Sequence, residues 1–162
     1  MTQHAPDLLA LTATEAAKVC AGHYDRVIPT DWPVGERWAT RLWGDDDVDV
    51  WLISWATEQF AELHDHGDSR GAFTVVRGAL TEDHWVPARQ RLRRRTVSAG
   101  RGVAFGTGYV HEVSNPRAEA AVSVHAYSPP LTDMSYYALD PARGLHRTRT
   151  TWSAASDSEG VG

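Results

Sequence analysis

The chain has 162 residues, a formal charge of −5, and 42% hydrophobic and 23% charged residues, the composition of one globular domain. The 21 Asp and Glu outnumber the 16 Lys and Arg, which argues against nucleic acid or an anionic membrane as partner. The single cysteine, Cys20, excludes an internal disulfide and a cysteine-built zinc site.

The first residues lack the basic start of a targeting segment, and no apolar run is long enough to cross a bilayer. With one cysteine, the chain reads as cytoplasmic. Thr12 and Glu15 have the spacing of a capping box, and Ala13 to Val19 are mostly good helix formers. A helical segment is expected over about 8–30, with Gly22 as a stop and Asp31-Trp32-Pro33 as a turn. Cys20 reads as a small buried apolar residue on that helix. The stretch from Glu36 to Leu42 suits a strand or a short helix, and Gly44 to Asp47 reads as a polar turn.

From Val48 the composition becomes β-branched and aromatic. Strands are expected over Val48 to Trp55, Ala72 to Val76, Ala79 to Trp85, Leu92 to Ser98, Val103 to Phe105, His111 to Ser114 and Ala120 to Tyr127. Short strands at near-regular spacing predict an all-β dominated sandwich or barrel. The regular pattern is expected to end at Pro129-Pro130, with an extension after Asp140-Pro141 and a disordered tail over 153–162. The basic run from Arg89 to Arg95 reads as a solvated strand and loop, and Glu82 and Asp83 show no obvious acid–base partner.

Eight histidines are the outstanding count, and their positions matter more than their number. His64 and His66 lie two apart, so on an extended segment they share a face. With His111 from a later strand they make a candidate metal set that leaves positions open for substrate. Ligands alone do not fix the metal, and Ni or Mn would suit the same donors. Ser123, His125 and Tyr127 alternate and also share a face.

Glycines surround both histidine groups. Gly78 follows His64-Asp65-His66, while Gly100, Gly106 and Gly108 precede His111, with Asn115 four residues beyond it. This spacing resembles the two cupin motifs, with Gly71 where the first motif carries an acidic ligand and Gly106 where the second carries proline. The blocks around Trp55, His64 to Ser69, Tyr109 to Val113 and Ser123 to Pro130 resemble, in order, those of the cysteine-dioxygenase-like thiol dioxygenases of the cupin superfamily. The resemblance implies a cupin β-barrel over about 36–137 within a single domain spanning 1–152, preceded by the short helical segment.

It further implies Fe(II) held by His64, His66 and His111, and a catalytic relay of Ser123, His125 and Tyr127. A small thiol and O2 would be the partners. The product would be a sulfinate, with L-cysteine as the leading substrate. The family's tyrosine-linked cysteine corresponds to Gly71, so no such cross-link can form. Arg41 is assigned to the substrate carboxylate, with Arg37 as its rival; a guanidinium fork suits both oxygens. Two other readings are 3-mercaptopropionate as substrate and a non-catalytic ligand-binding cupin.

Overall fold

The computed structural model describes residues 6–28 and 37–152. The expected turn at Asp31-Trp32-Pro33 and the expected tail over 153–162 lie outside the described residues. Helix α1 (Leu8–Cys20) is followed by β1 (Trp38–Gly44), β2 (Asp49–Trp55), β3 (Phe60–His64), β4 (Arg70–Arg77) and β5 (Ala79–Val86). A single 3-10 turn (Pro87–Arg89) leads to β6 (Arg91–Ser98), β7 (Gly102–Phe105), β8 (His111–Ser114), β9 (Ala121–Ser128), β10 (Asp133–Asp140) and β11 (Gly144–Trp152). No helix among the described residues is long and apolar enough to cross a membrane.

Two antiparallel sheets face each other, in the orders β1-β2-β9-β4-β7 and β11-β10-β3-β8-β5-β6. The expected strands from β2 onward are all present. The ambiguous stretch before the polar turn is strand β1. The pattern does not end at Pro129-Pro130: β10 and β11 form a hairpin, and β10 joins β3 through Tyr136 opposite His64.

The central strands β2, β9 and β4 of the first sheet are buried on both faces, with α1 packed across β4 and β9 on the outer side. Along β9, Val122, Val124 and Ala126 pack toward the helix with Val50, Leu52 and Ala72. Ala121 and Tyr127 of the alternate set join Ile53, Trp55, Phe73 and Val75 in the core between the sheets. This is why β9 reads as a nearly continuous buried run.

The helix begins earlier than the capping-box spacing predicts. Asp7 is the N-cap, its Oδ1 accepting from Leu9 N at 3.1 Å and Ala10 N at 3.0 Å. Thr12 and Glu15 instead lie inside the helix on its buried face. Thr12 Oγ1 meets Thr74 Oγ1 of β4 at 2.8 Å, and Glu15 bonds Lys18 and Tyr24. Gly22 does end the helix, with φ +77° just beyond the Ala21 C-cap. Cys20 is exposed, not buried, since it falls on the solvent side of the last turn.

Asn115 ties the end of β2 to the loop after β8. It is fully buried, and its Nδ2 donates to the carbonyls of Trp55 at 3.1 Å and Glu119 at 2.8 Å. Its Oδ1 accepts from Arg117 N at 3.2 Å, and its backbone pairs with Glu58 and Gln59. Replacing this amide leaves buried carbonyls without donors, which costs about 1–3 kcal/mol. Asn115→Ala is therefore expected to lose about 2 kcal/mol in urea unfolding of the metal-free protein; a loss below about 0.5 kcal/mol would contradict this role.

Candidate metal centre

The inner face of the barrel carries a polar row. Each buried apolar side chain contributes about 1.5–3 kcal/mol, while each buried polar group left unpaired costs about 1–3 kcal/mol. A polar interior is therefore tolerable only where partners are built in. β3 delivers His64 at its end, the turn after it delivers His66, and β8 delivers His111 opposite His64. All three are buried, and one ligand nitrogen from each lies within 4.8 Å of the others.

Two of them are held from behind. His64 Nδ1–H donates to the Glu62 carbonyl at 2.5 Å, and His111 Nδ1–H donates to Glu82 Oε1 at 2.8 Å. Both bonds place the ring proton on Nδ1 and leave Nε2 as a lone pair. His64 Nε2 faces His66 Nε2 at 3.2 Å. Two imidazoles directed at each other this way fit a shared cation with bonds of about 2.1 Å. The residues thus suit a first-row divalent metal, which three protein ligands would leave with positions for substrate.

Burial keeps the His64 and His66 rings neutral. It lowers the His64 pKa to about 3, with the charge of His111 adding to the effect. Burial likewise holds His66 and His125 well below the ordinary 6.5. Neutral imidazole is the form that binds metal.

Beside the three histidines runs the β9 row. Trp55 Nε1–H donates to Ser123 Oγ at 2.9 Å, Ser123 Oγ meets His125 Nε2 at 2.8 Å, and His125 Nδ1 meets Tyr127 OH at 3.3 Å. The Tyr127 ring lies 5.0 Å from His66, which puts this chain against the metal set. Burial pushes the Tyr127 hydroxyl up to about 12, so it is a protonated donor at neutral pH.

The two arginines occupy different places. Arg41 is held at the hairpin end of β1: its Nε donates to Asp49 Oδ1 at 2.8 Å, and its Nη2 lies 2.5 Å from the same oxygen. Its charge is not among the main influences on His64, His66 or His125. Arg37 places its guanidinium over the Trp55 ring at 4.9 Å. After burial, its charge is among the influences that depress His125, and it also acts on His64 and Tyr127.

Glu82 is a site residue that the sequence alone did not reveal. It is fully buried on β5 and binds His111, Arg95 and Tyr109. Burial pushes its carboxyl up, but the hydrogen bonds from His111 and Arg95 more than offset this and leave it below 4.5. The inward alternation of Leu80, Glu82 and His84 was the available signal. The basic run is otherwise a solvated strand, as expected, with Arg94 on Asp83 at 2.8 Å.

The neutral histidines set a pH dependence. In the unfolded chain they take up protons near pH 6.5, while in the folded chain His64 does so only near 3. The unfolded state therefore binds more protons below pH 6.5, and stability falls as pH falls through that value. Thermal melts of metal-free protein are expected to show a lower Tm at pH 5 than at pH 7.5. A Tm that stayed level across that interval would contradict burial of neutral histidines.

Comparison with known proteins gives the same architecture. A protein of Thermus thermophilus superposes with a TM-score of 0.55 at 14% identity, covering 65% of this chain and 93% of that one. A Klebsiella pneumoniae protein with a double-stranded β-helix domain gives 0.54 at 19% identity, covering 65% and 80%. Recombinant oxalate oxidase in complex with glycolate gives 0.53 at 20% identity, covering 67% and 58%. At these identities the likeness is one of fold, and the fold is a cupin double-stranded β-helix. The model of the family described as cysteine dioxygenase type I matches residues 30–139. The chain belongs to the cysteine dioxygenase type I family.

Proposed function

We propose that this protein is an Fe(II)-dependent thiol dioxygenase that converts L-cysteine to cysteine sulfinate, adding both atoms of O2 to the substrate sulfur. The observation that supports it most is the convergence of His64, His66 and His111 beside the Ser123–His125–Tyr127 chain, in a member of this family. Bound Fe(II) would supply a centre that accepts a thiolate and activates O2, since three neutral ligands leave the ion its full charge.

The chain's own residues do the rest. Trp55 donates into Ser123, so the serine proton is free to point at His125 Nε2. His125 then presents Nδ1–H to the Tyr127 oxygen, and the phenol proton remains for the reacting oxygen or the substrate. Phe105 and Phe73, both buried against the histidines, keep bulk water from the rings. Arg37, not Arg41, anchors the substrate carboxylate in this reading, because Arg41 is already paired with Asp49.

The direct test is anaerobic reconstitution with Fe(II), followed by oxygen uptake across a panel of small thiols. Thiol-dependent uptake with cysteine preferred is expected, and His64→Ala should abolish it. Iron-loaded protein inert toward every thiol would sink the enzymatic reading. Preference for a thiol lacking the amine would select 3-mercaptopropionate instead.

Two substitutions separate the roles. Tyr127→Phe keeps the ring and removes the donor, so kcat should fall about 100-fold with the fold intact. Arg37→Met should raise KM for L-cysteine about 10-fold to 100-fold, the loss expected of a charge-assisted hydrogen bond. The same change should leave KM for cysteamine, which has no carboxylate, unaltered. Arg41→Met should leave both constants near wild type, and the reverse pattern would return the anchor to Arg41.

A further inference from the structure

Of the three imidazoles in the metal set, one is bonded to a buried carboxylate. Glu82 lies on the inward row of β5, with no exposure to solvent. Its Oε1 accepts from His111 Nδ1 at 2.8 Å and from the Tyr109 hydroxyl at 3.2 Å. Its Oε2 accepts from Arg95 Nε of β6, and Arg95 Nη2 donates onward to Tyr109 at 3.0 Å. The group that holds His64 from behind is different in kind, being the uncharged carbonyl of Glu62.

We propose that Glu82 is a positioning residue for the metal centre, and that the Glu82–Arg95 pair sets the metal affinity and the redox potential of the site. Glu82 fixes His111 in the Nδ1–H tautomer, so that Nε2 faces His64 and His66. A carboxylate acceptor also makes the imidazole a stronger donor to a metal than a carbonyl does. Arg95 reaches the carboxylate from the solvent side, its side chain 42% exposed, and offsets part of that charge. The two thus work in opposite directions on one ligand: Glu82 favours the higher oxidation state of a bound iron, and Arg95 opposes it.

This proposal rests on the reading of the three histidines as a metal centre, and the experiment separates the two. Co(II) binding is measured by calorimetry, and the Fe(III)/Fe(II) midpoint potential by titration of the iron-loaded protein. The proteins compared are wild type, Glu82→Gln, Arg95→Met and Asp83→Asn. Glu82→Gln retains an acceptor for His111 while losing the charge. It is expected to bind Co(II) about 10-fold to 100-fold more weakly and to raise the potential.

Arg95→Met is expected to lower the potential, a shift of opposite sign that mere loss of packing would not produce. Asp83→Asn, whose carboxylate meets Arg94 on the other face of β5, should leave both readouts unchanged. Should Glu82→Gln fail to fold, the sign of the Arg95→Met shift decides the matter. Wild-type affinity and potential in both variants, or shifts of the same sign, would overturn the proposal. Wild-type protein that binds neither Co(II) nor Fe(II) would overturn the metal reading itself, and this proposal with it.

Discussion

Burying imidazoles in an apolar barrel imposes a constraint that reaches every neighbouring strand. Each ring must stay neutral, and each must have its second nitrogen occupied, or the core loses more than it gains. For three of the rings the structure meets this with a different partner in each case. His64 uses the carbonyl of Glu62, His111 uses Glu82, and His125 lies between Ser123 and Tyr127. Glu82 in turn needs Arg95, and Ser123 needs Trp55. The requirement therefore passes outward from the histidines through β5, β6 and β2 before it reaches solvent.

That outward chain explains how charge is distributed in a protein with an acidic total. Each buried carboxylate near the histidines has partners of its own: Glu82 is offset by Arg95, Asp65 accepts from Tyr137 and Ser135, and Asp49 is taken up by Arg41. Arg37 stands apart from these pairs, stacked on Trp55 and acting on the rings around it. Under the proposed function, an anionic thiol would meet the Arg37 guanidinium and a cation at the histidines, not the field of the whole molecule.

The parts of this arrangement that depend on local pattern were legible in the sequence. Alternation along Val48 to Trp55 and Ala120 to Tyr127 places the strands, and i, i+2 spacing pairs His64 with His66 and His125 with Tyr127. What depends on contact across the chain was not legible. Glu82 and His111 are 29 residues apart, and nothing local shows that β5 and β8 are neighbours. The Thr12 and Glu15 spacing also suits helix-interior residues whose side chains bond to β4 and to Tyr24, and the structure uses them that way. The β10–β11 hairpin is faint in the sequence because much of each strand faces water and its periodicity is weak.

Gly71 shows how closely the metal set and the tyrosine are coupled. A Cβ built there would lie 2.5 Å from the Phe105 ring and 3.1 Å from Tyr127 Cδ1. Phe105 thus fills the space beside the tyrosine, and it stacks on His66 at 4.9 Å. Any side chain at 71 must displace that ring, and moving the ring disturbs a candidate ligand. A glycine at this position therefore does more than remove a cross-linking group. It admits an aromatic wall that presses on His66 and lies beside Tyr127. Orientation that a covalent link could supply comes here from packing on one side and from the His125 hydrogen bond on the other.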